Sequence, residues 1–243
     1  MKTSTIAIPG STSEFASNSA VLFDMDGVLV DVTGSYRKAI EKTVQFFDEK
    51  TVQPGEIQAL KERGGYNNDW DLTEAILAGR GTTVPKTEII RKFQEFYLGT
   101  EGKKGLIENE KWLLEKEKLG NLRRKYCLGI VTGRPREETV YVLRKFGVES
   151  QFDVVVTMED YPAEKSKPNP YPINLALGKL GVRESIYVGD SVDDVKAAIC
   201  AGVRAFGCIP PGVSAEALEK LLMFCLKKPL LMAFFGLVKF WVS

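Results

Sequence analysis

The stretch of sequence that decides the fold of this chain is AVLFDMDGVLVD, residues 20–31. Its first four residues form a short apolar run, long enough for one buried strand. Asp24 and Asp26 follow at the end of that strand, where residues two apart point to the same side. Two like charges so close together are costly unless a cation or a proton offsets them. The pair indicates either a nucleophile and metal ligand beside an acid/base, or simply an Asp–Gly turn.

A regular alternation of strand and helix patterns begins after about residue 120. The predicted strands lie at residues 126–131, 154–156, 186–188 and 203–206. The predicted helices between them lie at residues 135–146, from Asn169 or Pro170 to Leu180, and at 192–200. Strands that alternate with helices indicate βαβ units. Together with the first strand, they predict an α/β fold with a Rossmann-like parallel sheet.

The segment from residue 35 to residue 119 carries helical patterns and no convincing strand. Its predicted helices start near Ser35, cover residues 56–62, run from Asp71 or Thr73 through Leu77, and cover residues 86–97 and 108–119. We therefore predict an all-helical cap at residues 35–119, inserted into a core formed by residues 20–34 and 120–243. Residues 1–19 are rich in Ser and Thr and are predicted to be a flexible tail.

The composition of the 243-residue chain excludes several kinds of chemistry. It contains no histidine, which removes Ser–His and Cys–His nucleophile pairs and histidine-ligated zinc or haem. The net charge of +1 gives no electrostatic reason to expect nucleic acid as a partner. The cysteines form no CxxC pair and are predicted to be reduced core residues, which fits a cytoplasmic location. They are Cys127, Cys200, Cys208 and Cys225. The alternative location is a plastid, because residues 1–19 are Ser-rich and acid-poor like a transit peptide, although they lack arginine.

The last stretch of the chain, residues 221–243, is apolar and aromatic. Lys227, Lys228 and Lys239 interrupt it, so no run approaches the roughly 20 apolar residues of a membrane span. Three interpretations stay open: an unusual last core element, a weak interfacial anchor, or an aberrant end from alternative processing of the message.

Polar groups follow the ends of four predicted strands. In chain order they are Asp24, Asp26, Thr132, Gly133, Lys167, Asp190 and Asp194. Because ligands bind beyond the carboxyl ends of the strands in open parallel sheets, we expect these groups to meet at one rim. Carboxylates, a hydroxyl and a lysine together suit a phosphoryl group held with Mg²⁺.

Four motifs, found in this order, closely resemble those of the haloacid dehalogenase-like superfamily. They are DMDGVLVD at residues 24–31, IVTG at 130–133, KPNP at 167–170 and GDSVDD at 189–194. The helical insert resembles the helical cap of subfamily I of that superfamily. The polar stretch at residues 64–71 is similar to a small subgroup of phosphatase-like proteins, some of them related to histidine biosynthesis.

This resemblance implies a Mg²⁺-dependent phosphatase that acts on a small phosphorylated metabolite. It implies that Asp24 attacks phosphorus to form an aspartyl-phosphate. Asp26 would protonate the leaving oxygen and then deprotonate the hydrolytic water. The implied metal ligands are Asp24, Asp190 and the backbone carbonyl of Asp26. The implied phosphate-binding residues are Thr132, Gly133 and Lys167, with Asp194 orienting a metal-bound water or the lysine.

Some of these residues also have purely structural interpretations. Thr132-Gly133 is also typical of a strand-to-helix turn with an N-cap. Lys165 competes with Lys167 for one role, and the proline after Lys167 favours the latter. Arg134 either reaches the substrate or is solvated.

A polar stretch in the predicted cap, made of Asn67, Asn68, Asp69 and Trp70, has two interpretations. It is either a loop that closes on the substrate and selects it, or a turn with Trp70 packed in the cap. Two rival functions also stay open. One is a phosphosugar mutase of the same superfamily, whose cap excludes water so that the phosphate returns to another hydroxyl. The other is a non-catalytic binding protein that retains the fold.

Overall fold

Five parallel strands form the central sheet: β1 (Ser19–Phe23), β2 (Cys127–Val131), β3 (Val154–Val156), β4 (Glu184–Gly189) and β5 (Arg204–Gly207). The computed structural model of the protein describes residues 18–53, 55–63, 66 and 68–208. The strands lie in the order β3-β2-β1-β4-β5. Strand β1 is central and pairs with β2 on one side and β4 on the other. The predicted fold class, a Rossmann-like parallel α/β core, is confirmed.

Helices pack on both sides of this sheet and are numbered in chain order. They are α1 (Tyr36–Asp48), α2 (Glu56–Arg63), α3 (Asp69–Gly79), α4 (Lys86–Leu98), α5 (Lys116–Arg123), α6 (Arg136–Lys145), α7 (Tyr171–Leu180) and α8 (Val192–Cys200). Helices α6, α7 and α8 connect successive sheet strands, as βαβ units require. Helices α1–α4 lie between β1 and β2, where the sequence predicts the cap. The division into cap and core stays a prediction.

Strand β1 is buried on both of its faces. Val21 and Phe23 belong to one apolar cluster and Ala20 and Leu22 to another, and none of the four is more than 3% exposed. Successive side chains of a strand point to opposite faces, so apolar groups cover the sheet on both sides. Full burial of a Leu or Phe side chain contributes roughly 1.5–3 kcal/mol. The strand that leads to Asp24 is therefore firmly held.

A two-stranded ribbon joins the helical segment to the core. Val30–Asp31 pairs antiparallel with Lys111–Trp112, so the outgoing and returning chains lie side by side. Ser35 Oγ donates a buried hydrogen bond of 2.8 Å to Glu110 Oε1, which fastens the two chains again just beyond the ribbon.

The prediction of a helix over residues 108–119 is wrong. The chain forms a 3₁₀ turn (Leu106–Asn109), then the ribbon strand, and only then α5. The apolar residues recur at helical spacing, but pairing with Val30–Asp31 and the burial of Glu110, which is 3% exposed, override that local pattern.

Two further details of the helical segment differ from the prediction. A short hairpin pairs Gly99–Thr100 with Lys103–Lys104, so the segment is not all helical. Helix α3 begins at Asp69, before both residues that the sequence suggests as its start. Asn68 caps this helix by accepting a hydrogen bond of 2.8 Å from the backbone N–H of Trp70.

The described residues include three of the four cysteines, Cys127, Cys200 and Cys208. Cys127 and Cys208 are half-buried, but Cys200 is exposed, which corrects its assignment to the core. It is the last residue of α8 and lies on the solvent side of that helix. In the described part of the chain, none of the helices is both long and apolar enough to cross a bilayer. The tail predicted at residues 1–19 is described only at residues 18 and 19, and Ser19 is the first residue of β1, so the predicted tail ends one residue too late. The predictions for residues 1–17, for Cys225 and for residues 221–243 fall outside the described residues.

A charged cluster within the helical segment allows a test of stability. Arg80 donates hydrogen bonds to Asp48 Oδ2 (3.0 Å) and to Glu56 Oε2 (2.7 Å). These bonds hold the pKa values of the two carboxyl groups below their ordinary values of 3.8 and 4.5. Because the folded-state pKa values are lowered, this stabilisation is present above the unfolded values and is lost as the pH falls through the folded ones.

Arg80→Gln is expected to lower the midpoint of thermal unfolding by about 2 °C at neutral pH. The difference from wild type should shrink towards zero at an acidic pH below both lowered pKa values, where the two carboxyl groups carry protons in the folded state as well. Thermal unfolding at the two pH values measures this. Arg91→Gln is the control, because its ion pair with Glu88 is exposed at both ends. A difference of equal size at both pH values would contradict the electrostatic explanation.

Candidate active site

The side chains that follow the strands meet at the carboxyl edge of the sheet. Lys167 Nζ lies 2.8 Å from Asp24 Oδ1 and 2.6 Å from Asp194 Oδ1. Carboxylate oxygens of Asp24, Asp190 and Asp194 lie within 4.8 Å of one another. The fold thus brings together residues of the first, third and fourth motifs.

Lys167 is buried, and its ammonium group is surrounded by oxygen atoms. Besides the two carboxylates, it donates to the hydroxyl of Tyr187 at 3.1 Å and to the carbonyl of Val131 at 3.4 Å. Burial alone would lower the pKa of Lys167, but Asp194 and Asp24 more than offset it and raise that pKa well above its ordinary value. The ammonium is therefore a permanent positive charge at the sheet edge. Lys165, its rival, lies instead over the ring of Tyr171, 4.3 Å from the centroid.

The acidic groups carry more negative charge than this lysine balances. Burial raises the pKa of Asp24 to about 7 against the opposing effect of Lys167, and Asp194 and Asp26 add to the rise. Burial, Asp194 and Asp24 raise the pKa of Asp190 well above its ordinary value. A divalent cation would offset this excess. Carboxylate oxygens are the donors that Mg²⁺ prefers, so the residues present fit that ion.

Asp194 uses both of its oxygens within the protein. Oδ1 accepts from Lys167, and Oδ2 accepts from Ser191 N (3.1 Å) and Ser191 Oγ (2.7 Å) in a capping box that begins α8. Despite burial, these bonds hold the pKa of Asp194 below its usual range. Gly189 makes the arrangement possible, because a Cβ there would lie 2.3 Å from Asp194 Cβ. This geometry suits a residue that orients Lys167.

Asp26 stands at the turn that follows β1. Gly27, the next residue, has φ of +78°, a conformation that favours glycine. The turn closes with a hydrogen bond of 2.8 Å from Gly27 N to the Val30 carbonyl. The side chain of Asp26 is 30% exposed, so its carboxylate remains accessible.

Arg134 is fully buried, so the solvated interpretation of this residue is wrong. Its Nε donates to Asp26 Oδ1 at 2.7 Å, and Nη1 and Nη2 donate to the two oxygens of Glu110 at 3.0 Å each. The backbone N–H of Arg134 donates to Thr132 Oγ1 at 3.1 Å in the turn that follows β2. The guanidinium group therefore links the second motif to the first.

Thr132 and Gly133 end β2 at the same edge of the sheet. Thr132 is 1% exposed, and its Oγ1 accepts from Arg134 N, as in the turn interpretation. Its hydroxyl proton stays available to a phosphate oxygen, because that contact uses only a lone pair. Gly133 is exposed. Both the structural and the phosphate-binding interpretations are compatible with this geometry.

The polar stretch of the predicted cap makes structural contacts. Asn68 caps α3, Trp70 packs against the main apolar cluster, and Asp69 Oδ1 lies 3.0 Å from Lys61 Nζ. Asn67 lies outside the described residues. These contacts match the turn interpretation, and substrate selection by this stretch stays a prediction.

Sequence reasoning missed Tyr187, Glu110 and Tyr97. Tyr187 carried a weak signal, as a hydroxyl-bearing residue within the apolar run of β4 before Gly189. Its hydroxyl lies 3.1 Å from both Lys167 Nζ and Asp194 Oδ1. Neither Glu110 nor Tyr97 gave a sequence signal for a functional role. A single acid in a helical pattern indicates only a solvent-facing position, and a single tyrosine indicates only a packed one.

Residues 21–208 match the sequence family described as haloacid dehalogenase-like hydrolase. An imidazoleglycerol-phosphate dehydratase from Phytophthora nicotianae is 38% identical over 207 residues, which make up 82% of this chain but 45% of that protein. The chain therefore spans less than half the length of this relative. Pyrophosphatase PpaX from Bacillus velezensis is 31% identical over 196 residues, which cover 77% of this chain and 82% of the relative.

Among solved structures, phosphatase Tt82 from Thermococcus thioreducens matches with a TM-score of 0.63. The match covers 84% of this chain and 99% of that chain, at 24% sequence identity. A likeness at this identity shows a shared fold.

Proposed function

The chain belongs to the haloacid dehalogenase-like hydrolase family as a phosphatase-type enzyme, and we propose that it hydrolyses a small-molecule phosphomonoester with Mg²⁺ through an aspartyl-phosphate on Asp24. The observation that carries this proposal is the contact of buried Lys167 with Asp24, at 2.8 Å, beside Asp190. In this proposal Asp24 is the nucleophile, and Lys167 supplies a fixed positive charge for the phosphate oxygens. The carboxylates of Asp24 and Asp190 supply ligands for a metal ion.

In the first step, an oxygen of Asp24 attacks the phosphorus of the ester. As that bond forms, the bond from phosphorus to the leaving oxygen breaks, and its electron pair stays on the leaving oxygen. Asp26, in its protonated form, gives its proton to this oxygen, because an alkoxide leaves poorly without one. Lys167 and the hydroxyl of Thr132 hold the other phosphate oxygens in position.

In the second step, a water molecule attacks the phosphorus of the aspartyl-phosphate. Asp26, now a carboxylate, takes a proton from that water, and the bond between Asp24 and phosphorus breaks to release inorganic phosphate. Mg²⁺ bound by Asp24, Asp190 and the Asp26 carbonyl would neutralise charge on the phosphoryl group. Asp24 ends as a carboxylate and Asp26 regains its proton, so the cycle balances.

A panel of phosphorylated small molecules tests the proposed function. Purified protein is incubated with Mg²⁺ and sugar phosphates, other alkyl and aryl phosphomonoesters, or pyrophosphate, and released phosphate is measured. Hydrolysis of at least one ester without any bisphosphate activator is expected. A strict need for a bisphosphate would favour the mutase, and no release across the panel would favour the non-catalytic binding protein.

Mg²⁺ is expected to stabilise the folded protein as well as to activate it. A ligand at a hundred times its Kd stabilises by about 2.7 kcal/mol, which is about 5–10 °C for a domain of this size. Asp190→Asn should remove most of this shift and the Mg²⁺-dependent turnover. Without metal the same variant should be no less stable than wild type, because burial already disfavours the Asp190 charge.

Thermal unfolding of chelator-treated protein, with and without added Mg²⁺, measures this shift. Asp71→Asn is the matched control, since Asp71 forms a part-exposed ion pair with Lys86 in the helical segment. An undiminished Mg²⁺ shift in Asp190→Asn would exclude Asp190 as a ligand.

A further inference from the structure

We infer that Arg134 is a positioning residue, which holds the carboxyl group of Asp26 in the orientation from which it protonates the leaving oxygen. The inference rests on the proposed function, in which Asp26 is the acid and base. It adds a residue that lies outside the four motifs' functional positions.

Two nitrogen atoms of the Arg134 guanidinium contact the same oxygen of Asp26. Nε and Nη2 lie 2.7 and 2.5 Å from Asp26 Oδ1. Asp26 follows its strand at a turn and is partly exposed, so its side chain has more than one staggered rotamer open to it. The arginine selects one of these while leaving part of the carboxylate accessible.

Buried groups fix the rest of the guanidinium. Nη1 and Nη2 donate to Glu110 at 3.0 Å each, and Nη1 also donates to the hydroxyl of Tyr97 at 3.1 Å. The ring of Tyr36 lies against the guanidinium, 4.8 Å from centroid to Cζ. Glu110 in turn accepts from Ser35 Oγ (2.8 Å) and from the Tyr97 hydroxyl (2.9 Å). Because these contacts fix the planar guanidinium group of Arg134, it cannot rotate, and it holds the carboxyl group of Asp26 in one position.

Glu110 also balances the charge of the arginine and ties it to the ribbon. Its carboxylate faces the guanidinium, so Asp26 receives directed hydrogen bonds beside a neutralised pair. Glu110 directly precedes the ribbon strand Lys111–Trp112, which returns from the helical segment. Through Arg134 and Glu110, Asp26 is thereby anchored to the ribbon that connects that segment to the core. A misplacement of about 1 Å at such a group costs about 10²-fold in rate.

A leaving-group comparison separates positioning from mere structural support. The rate constant kcat/KM covers the step in which the leaving group departs, so it reports the acid role of Asp26. It is measured for 4-nitrophenyl phosphate, which needs little protonation to leave, and for an alkyl phosphomonoester that wild type hydrolyses. Arg134→Gln is expected to lower kcat/KM about 10²-fold for the alkyl ester and less than about tenfold for the aryl ester.

Three further variants complete the test. Glu110→Gln keeps the shape of its side chain but loses the anchoring charge, and should give a smaller loss with the same preference. Arg134→Lys, which keeps the charge but not the fork, should restore only part of the alkyl-ester rate. Arg136→Gln is the matched control, since this neighbouring arginine is 47% exposed and pairs with Asp160, and it should leave the ratio of the two esters unchanged.

Equal losses on both esters, or no loss, overturn the inference and leave the proposed function standing. If circular dichroism shows that Arg134→Gln does not fold, Glu110→Gln is judged by the same criterion. A wild-type protein that hydrolyses no phosphomonoester of the panel, so that no alkyl ester qualifies for the comparison, overturns the proposed function, and the inference falls with it.

Discussion

Asp24→Asn is expected to lower kcat by about 10⁴-fold or more while phosphate still binds in the presence of excess Mg²⁺. An amide oxygen is a poor nucleophile and cannot form the acyl phosphate. The side chain keeps its shape, and its oxygen can still accept the hydrogen bond that Lys167 donates at 2.8 Å. The change also removes a charge from a group whose pKa burial raises to about 7. The metal-free variant should therefore be at least as stable as wild type.

Phosphate release measures the turnover of this variant, and calorimetric titration with phosphate in the presence of Mg²⁺ measures its binding. Asp71→Asn makes the same chemical change at a part-exposed pair with Lys86 and should leave both quantities unchanged. A folded Asp24→Asn protein that kept more than about a tenth of the wild-type rate would show that Asp24 is not the nucleophile.

The parallel core is predictable because its signals are local. Strands β1, β2 and β4 are each an apolar run followed directly by a polar residue. That residue is Asp24 after β1, Thr132 after β2 and Asp190 after β4. Helical periodicity likewise predicts α6, α7 and α8 to within about two residues. The ribbon that joins the helical segment to the core has no such signal. Its strands are two residues long and exist only because distant parts of the chain pair with each other.

The candidate site divides in the same way. Spacing within the first motif brings forward Asp24 and Asp26 as candidates, and spacing within the fourth brings forward Asp190, because neighbours along the chain place them. The environment of Arg134 depends on Glu110, which comes from the far side of the helical segment. An arginine close to a helix start is usually solvated. No local sequence pattern indicates that this one is buried and paired with Glu110. The contacts of Tyr187 with Lys167 are hidden for the same reason.

Lys167→Met is expected to reduce both activity and stability. The ammonium lies between Asp24 and Asp194, at 2.8 and 2.6 Å, and all three side chains are at most 10% exposed. Breaking a buried ion pair by removing one partner costs about 3–5 kcal/mol, or about 6–20 °C in the midpoint of thermal unfolding for a domain of this size. Turnover should fall by about 10³-fold, because the phosphate oxygens lose a fixed positive charge.

Thermal unfolding in chelator and phosphate release with Mg²⁺ measure the two effects of Lys167→Met separately. Lys165→Met is the matched control two residues away, because its ammonium only lies over the ring of Tyr171, a contact that contributes about 0.5–1 kcal/mol. Adding Asp194→Asn to Lys167→Met should recover part of the lost stability and none of the turnover, because it removes one of the two uncompensated charges. A Lys167→Met protein that unfolds at the wild-type temperature would show that the carboxylates do not depend on the lysine. In chelator, the balance of charge at the sheet edge would then rest on bound protons.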